Sequence, residues 1–369
     1  MATRRDFLAS CSVTGGATVL GGLSPVLAQV PVPTPAPVSS SSHGGLKVGY
    51  VLSSEQFPNT RLVQLAAQAE AAGFDAAWSS DHFQPWQPNE GHTSQAWVTL
   101  AAVGQRSSRL FIGTGVCCPA YRYHPAIVAE AFASLGQLYP GRVFLGVGTG
   151  EALNEVAATG DRFPHYRERA ARLAEAVELI RRLWTGQMTT FEGHFYQVRH
   201  ARLYDVPSVP VPIYIAGNGP KSAHLAGLHG DGWITTLKLL EDPKVRDAFE
   251  AGARAAGKDP ARLAIVLESF VVNGTHEQAL PGAEKWRFTP YAWKRYVTDP
   301  DPRDIQKRAD REVPLSKVME DWTISTDLHQ HAEALRKAHK AGATMVMVHS
   351  PLPDQSGFID FYRHVLTSL

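Results

Sequence analysis

The chain has 369 residues, 44% of them hydrophobic, enough for one large core or two modest domains. Its formal net charge is +1, a balance that offers nothing to nucleic acid or to an anionic membrane surface. Beyond Val30 no run of about eighteen apolar residues occurs, so no internal membrane span is expected.

The first thirty residues read as an export signal. Thr3-Arg4-Arg5-Asp6-Phe7-Leu8 pairs two arginines ahead of a bulky apolar dipeptide, and a weakly hydrophobic stretch from Val13 to Leu27-Ala28 follows. This is the pattern of a twin-arginine leader (residues 1–30), handled by the Tat export machinery and leading to the periplasm or cell envelope. That route carries proteins that fold and load a cofactor before crossing. Residues 31–45, rich in Pro and Ser, read as a flexible spacer.

A single domain is expected over residues 46–369. Strand-like runs fall at 46–52, 76–80, 110–116, 143–147, 212–216, 232–236, 263–272 and 344–349, with amphipathic stretches such as 61–72, 126–138 and 167–184 between them. The strands are apolar throughout rather than alternating, which indicates burial on both faces and parallel pairing. Eight such strands predict a (β/α)8 TIM barrel. A doubly wound open sheet is the alternative, but no Gly-x-Gly-x-x-Gly turn follows the first strand. Two connections exceed a minimal barrel, 187–211 and 268–326; the second, rich in Pro, Trp, Tyr and Arg, is expected to form a lid over the mouth.

Barrel chemistry sits at the C-terminal ends of the strands. Those ends carry Ser54-Glu55, Asp81-His82, Gly115-Val116-Cys117, Gly150-Glu151, Gly217-Asn218-Gly219, Thr236 to Lys238, Glu268 and Ser350. His82 supplies an imidazole for proton transfer near neutral pH, and Phe83-Gln84-Pro85-Trp86 an aromatic wall for a ring-shaped ligand. Glu55 and Glu151 add carboxylates whose acidity depends on burial. Gly217-Asn218-Gly219-Pro220, opening a helix, offers backbone N–H groups to an anion. Cys117 and Cys118 are adjacent, which disfavours a relaxed disulfide between them. No Cys/His spacing of a metal site is present, and His329 and His331 are expected to be solvated. On these residues alone a glycosidase-like carboxylate pair, Glu55 with Glu151, competes with a cofactor enzyme.

Four runs carry a family resemblance: Ser80-Asp81-His82-Phe83-Gln84-Pro85-Trp86, Tyr121-Arg122-Tyr123-His124-Pro125-Ala126, Gly141 to Glu155, and Leu203-Tyr204-Asp205-Val206-Pro207. Together they resemble the coenzyme F420-dependent glucose-6-phosphate dehydrogenase group of the luciferase-like barrels, and most closely its exported hydroxymycolic acid dehydrogenase branch. The resemblance implies a luciferase-like barrel, coenzyme F420 as cofactor, hydride transfer from an alcohol, and a homodimer. It implies that Asp81, the Gly115–Val116 bond (a non-proline cis peptide in the family), Cys117, Cys118, Thr149, Gly150, Asn154, Ala216, Gly217, Asn218 and Gly219 surround the cofactor. His82, with Trp86, would handle the substrate hydroxyl; Glu151 would donate a proton to the deazaflavin and Glu55 position the substrate.

The sequence departs from the sugar-phosphate enzymes where they hold phosphate. Lys238 is displaced by about one position, Asp321 stands where an arginine would precede Trp322, and Lys294 and Arg295 only flank a third basic position. An acid in place of a bidentate arginine weakens phosphate binding, so a neutral small-molecule or lipid alcohol is expected rather than glucose 6-phosphate. The remaining alternatives are an FMN-linked luciferase-like monooxygenase and a catalytically silent exported binding protein.

Overall fold

The computed structural model describes residues 43–369. The leader and all but the last three residues of the spacer lie outside the described residues.

In chain order the elements are β1 (Lys47–Leu52), α1 (Asn59–Ala72), β2 (Ala76–Ser79), α2 (Ala96–Arg106), β3 (Phe111–Thr114), α3 (Pro125–Leu138), β4 (Val143–Val147), α4 (Ala152–Thr159) and α5 (Tyr166–Leu183). There follow β5 (Thr189–Glu192), β6 (Gln197–Ala201), β7 (Ile213–Ala216), α6 (Pro220–His229), β8 (Gly232–Thr235), α7 (Leu237–Leu240), α8 (Pro243–Ala255) and β9 (Ala264–Val272). The chain closes with α9 (His276–Lys285), α10 (Pro302–Glu312), α11 (Leu315–Val318), β10 (Thr323–Ile324), α12 (Leu328–Lys340), β11 (Met345–His349) and α13 (Gln355–Thr367).

Eight strands pair in the order β9-β11-β1-β2-β3-β4-β7-β8, and β8 pairs back onto β9. Every pairing around the ring is parallel. The ring is therefore a closed (β/α)8 barrel, and the open doubly wound sheet is excluded. β10 adds a short parallel strand beside the far end of β9.

Because side chains alternate across a strand, each strand divides between two cores. Val51, Ala76, Trp78, Phe111, Phe144, Tyr214, Ile234, Val266, Met345 and Met347 fill the barrel interior. The opposite faces pack against the helical jacket, with Val48, Tyr50, Ala77, Ile112, Leu145, Ile213, Trp233, Leu267 and Val348 among the buried residues. Both faces are buried, which is why the strands read as unbroken apolar runs.

Glycine sets the spacing where strands need it. A Cβ on Gly146 would lie 2.0 Å from the Thr114 carbonyl oxygen of β3, so only a hydrogen fits. Gly150 adopts φ 80° and its Cβ would meet Cys118 Sγ at 2.8 Å.

The two long connections differ in kind. Residues 187–211 hold the antiparallel hairpin β5–β6 on the outside, an element the sequence reading missed because it counted barrel strands only. The connection after β9 is a lid with its own small core, in which Trp286, Phe288, Ala292, Tyr296, Ile305, Ala309 and Val313 pack with Trp86 and Leu153. Trp86 thus joins the loop after β2 to the lid. The strand expected over 110–116 is shorter, ending at Thr114. The expectation of a solvated His331 is corrected: it is fully buried, on the inner stripe of α12 with Ala332 and Leu335. There Nε2 bonds to the Ser325 carbonyl at 2.9 Å and Nδ1 lies 3.2 Å from Tyr362 Oη.

Replacing Gly146 by alanine is expected to destabilise the fold by about 1–3 kcal/mol or more, since overpacking against backbone cannot relax through a side chain. Urea unfolding would show a lower midpoint at unchanged slope; an unaltered midpoint would show that β3 and β4 yield at this point.

Candidate active site

The C-terminal ends of the eight strands open into a cavity of about 710 Å³, within the size range of small-molecule and cofactor sites. Its lining includes Glu55, His82, Trp86, Gly115, Val116, Thr149, Glu151, Ala216, Asn218 and Gly219. These ten positions, all singled out from the sequence, thus meet in one space.

His82 sits in the loop that follows β2. Its Nε2 lies 3.7 Å from Glu55 Oε1. Glu55, 2% exposed at the end of β1, accepts from Ser80 Oγ at 2.7 Å and Ser53 Oγ at 3.2 Å. On the other side of the ring, Nδ1 lies 3.4 Å from Asn154 Nδ2. The orientation of the Asn154 amide follows from its partners. Its Oδ1 accepts from the backbone N–H of Phe83 at 2.8 Å, and its Nδ2 donates to Glu151 Oε2 at 3.2 Å. An amide nitrogen only donates here, so His82 Nδ1 accepts and the neutral ring carries its proton on Nε2, facing Glu55. Asn154 is therefore the strut that ties the loop after β2 to the start of α4, where Glu151 is the N-cap residue. The Gly115–Val116 peptide is cis.

Not every expected residue reaches the cavity. Asp81 has a fully buried side chain paired with Arg122 Nη2 at 3.1 Å, and Tyr123 Oη donates to its Oδ1 at 3.3 Å. Arg122 also pairs with Glu155, Nε to Oε1 at 3.5 Å, and donates its backbone N–H to Oε2 at 3.2 Å. The Tyr121-Arg122-Tyr123 run thus builds a buried acid–base–acid layer behind the site. Burial pushes the Glu155 carboxyl up to about 7, with Arg122 offsetting part of that effect. Cys117 and Cys118 lie in the same layer as free thiols, and burial raises both well above the ordinary value. Gly150, at φ 80°, and Gly217, whose N–H donates to the Ile234 carbonyl at 3.0 Å, are not among the lining residues.

Lys238, Lys294 and Arg295 also stay outside the lining, contrary to the substrate-binding expectation for them. Lys238 is 64% exposed and pairs with Asp321 at 3.1 Å, and Arg295 pairs with Glu312 at 3.3 Å. The acid at position 321 neutralises the lysine beside it.

Other lining residues escaped the sequence reading. Arg169, on α5, is 7% exposed and donates to the Gly150 carbonyl at 3.0 Å, while its Nε has no partner among the described residues. It lines the cavity together with Asn218, Gly219, Lys221 and Ser222. The signal was weak because Arg169 belongs to a helix of many charges and looks like any solvated arginine. Phe270, Trp286, Phe288, Ala292, Trp293 and Val297 form an aromatic and apolar wall from β9 and the lid, with Trp86 stacked on Phe288 at 4.6 Å between centroids and set edge-on to Trp293 at 6.1 Å.

Comparison with known proteins gives concordant results. A sequence model described as luciferase-like monooxygenase matches residues 41–345. The chain is 50% identical over 333 residues to the F420-dependent hydroxymycolic acid dehydrogenase of Mycobacterium tuberculosis, covering 90% of this chain and 89% of that one. It is 42% identical over 327 residues to the F420-dependent glucose-6-phosphate dehydrogenase of Mycolicibacterium fortuitum, covering 86% and 96%. Among solved structures, an F420-dependent secondary alcohol dehydrogenase in complex with an F420-acetone adduct superposes with a TM-score of 0.82 at 34% identity, covering 87% and 98%.

The raised Glu155 carboxyl has a thermodynamic consequence. Between its ordinary value of 4.5 and about 7 the folded state binds the proton and the unfolded state has lost it. Stability is therefore expected to fall as pH rises through that window. Glu155→Gln should flatten this part of the profile in urea titrations at stepped pH; an unchanged slope would assign the dependence to another group.

Proposed function

The chain belongs to the luciferase-like monooxygenase family and is an F420-dependent oxidoreductase acting on CH–OH groups; we propose that its substrate is a neutral alcohol, oxidised at the His82–Glu55–Glu151 end of the cavity. The observation that carries the substrate reading is the aromatic wall together with the three basic residues left outside. A sugar phosphate needs a cationic partner, and on the β9 and lid side the cavity offers Phe270, Trp286, Phe288 and Trp293 instead.

The residues fit a deazaflavin. Arg169 is a buried cation that lines the cavity together with Gly219, Pro220, Lys221 and Ser222 at the start of α6. Gly219, at the N-cap of that helix, has no heavy atom within 4 Å of where a Cβ would stand, so the backbone is open to an anionic tail. Arg169, Asn218, Gly219, Lys221 and Ser222 would hold that tail, and Val116, Thr149 and Ala216 would border the ring. When bound, the deazaflavin supplies a two-electron hydride acceptor.

The protein's part is proton handling and orientation. As the carbinol C–H bond breaks, the hydroxyl proton passes to His82 Nδ1, whose lone pair exchanges its long 3.4 Å hydrogen bond from Asn154 for the substrate hydroxyl. Glu55, 3.7 Å from the opposite nitrogen, balances the imidazolium that forms. Glu151 delivers the proton that accompanies the hydride, held in place by Asn154. Trp86, wedged against Phe288, keeps the aromatic wall beside His82 and excludes water from the reacting carbon. The twin-arginine pattern supports export with cofactor already loaded, to a periplasmic or envelope location where a lipid alcohol is within reach. A homodimer is part of the same reading.

The deciding experiment is a titration of the mature protein with coenzyme F420 and, separately, FMN, followed by tryptophan quenching. Quenching by F420 at low concentration and not by FMN is expected; preference for FMN would overturn the reading. In the same assay Gly219→Asp, which the open space accommodates, should weaken F420 binding by at least tenfold, and unchanged affinity would remove the cradle assignment. Glu151→Gln is expected to lower kcat by 10²-fold or more with little change in F420 affinity; loss of affinity at normal kcat would make Glu151 structural.

A further inference from the structure

A second carboxylate–imidazole pair lines the same cavity, on strands that the proton-handling residues do not use. Ala264, Val266, Glu268 and Phe270 alternate on the inner face of β9, and Met345, Met347 and His349 on that of β11. Glu268 and His349 meet above the packed interior, with His349 Nδ1 3.0 Å from Glu268 Oε1. A carboxylate only accepts, so Nδ1 carries the proton and donates. His349 is 2% exposed and its ring is clamped: Phe270 stacks on it at 4.3 Å between centroids, and Trp286 meets it edge-on at 4.6 Å. Its Nε2 has no partner among the described residues.

Glu268 is placed differently. Its side chain keeps 38% of its area open and lines the cavity, and Oε2 makes no hydrogen bond to a described residue. Around it the wall is Phe270, Trp286, Phe288, Thr289, Ala292 and Trp293, so among the described residues this is the one charged side chain on the lid side of the lining. With Oε1 taken by His349, Oε2 is left as an acceptor facing the cavity for a hydrogen-bond donor. The pairing order β9-β11-β1-β2 sets Glu268 and His349 next along the mouth from Glu55 and His82. The Glu55–His82 end and this second station therefore face one bound molecule.

We propose that Glu268, oriented by His349, binds a second hydroxyl of the substrate, away from the one oxidised. This inference rests on the alcohol dehydrogenase reading above and names a narrower substrate class: a neutral, largely apolar alcohol carrying another hydroxyl along its chain. A free carboxylate at that position would be repelled by Glu268, so a hydroxy acid in its ionised form is disfavoured and an ester or neutral diol favoured. Glu268 acts by contact with substrate; His349 is a positioning residue.

The test compares a secondary alkanol with a series of analogues bearing one added hydroxyl at successive carbons, and one bearing a terminal carboxylate, with F420 reduction as the readout. At one or more positions the added hydroxyl should raise kcat/KM about tenfold, through KM, while the carboxylate lowers it. In both Glu268→Gln and Glu268→Ala the diol-to-alkanol ratio should fall to near one, and in His349→Gln it should fall part of the way. Thermal melts establish which variants are folded, and the ratio is read on those. No analogue above the parent, or an undiminished ratio in the Glu268 variants, overturns the proposal. Failure to reduce F420 with any alcohol overturns the dehydrogenase reading instead. Saturation-transfer NMR on the cofactor-free protein then decides the station by itself: diol signals stronger than alkanol signals and lost in both Glu268 variants uphold it, and equal signals overturn it.

Discussion

Closure of the parallel sheet through the β8–β9 pairing constrains everything built above it. Once the ring is shut, alternate residues of every strand must point to a common axis, and they must fill it without voids. The lower interior is occupied by Trp78, Phe111, Phe144, Tyr214 and Met347, with glycine at 113 and 146 where two strands crowd. One step further along each strand the same alternation delivers Ser80, Gly115, Gly148, Ala216, Glu268 and His349 into open space. The cavity is thus the upper continuation of the packed core, and its shape is set by strand register rather than by loops.

Charge is managed in two layers. In the layer facing the cavity, carboxylates are paired with imidazoles or amides: Glu55 with His82, Glu151 with Asn154, Glu268 with His349. Behind it, Asp81, Arg122 and Glu155 form a buried group that leaves Arg122 Nε and Glu155 Oε1 without a hydrogen bond. Buried ion pairs contribute little net stability, because desolvation offsets their attraction. Their value here is positional: Arg122, in the loop after β3, ties the loop after β2 to α4, so two loops and a helix that border the reacting end are held together.

The lid adds the remaining specificity. Its helices would be marginal alone, since α9 to α11 are short and bury their apolar residues in a small cluster completed by Trp86 and Leu153 from the barrel loops. By inserting Trp86 into that small core, the barrel couples a residue beside His82 to the wall that receives the rest of the substrate. Changes in the lid are therefore felt at the reacting carbon.

The eight apolar runs, the helical stretches between them and the glycine-rich turns after β4 and β7 were legible in the sequence, because local periodicity and turn chemistry report burial on both faces and sharp reversals directly. His82, Glu55, Glu151 and Gly219 were legible for a related reason, as they stand at strand ends and a barrel gathers strand ends together. Arg169 and His349 were not: one is an arginine on an amphipathic helix, the other the last residue of an apolar strand, and neither pattern marks a site. The fate of Asp81, Lys238, Lys294 and Arg295 was equally hidden. Whether a charged side chain meets a ligand or a neighbouring charge depends on partners distant in the chain, such as Arg122 for Asp81 and Asp321 for Lys238. Sequence by itself determined the architecture and the depth at which each strand residue lies. Only tertiary structure decided which charges cancel one another and which are left free in the cavity, since pairing is a property of distance in space and the sequence records only order along the chain.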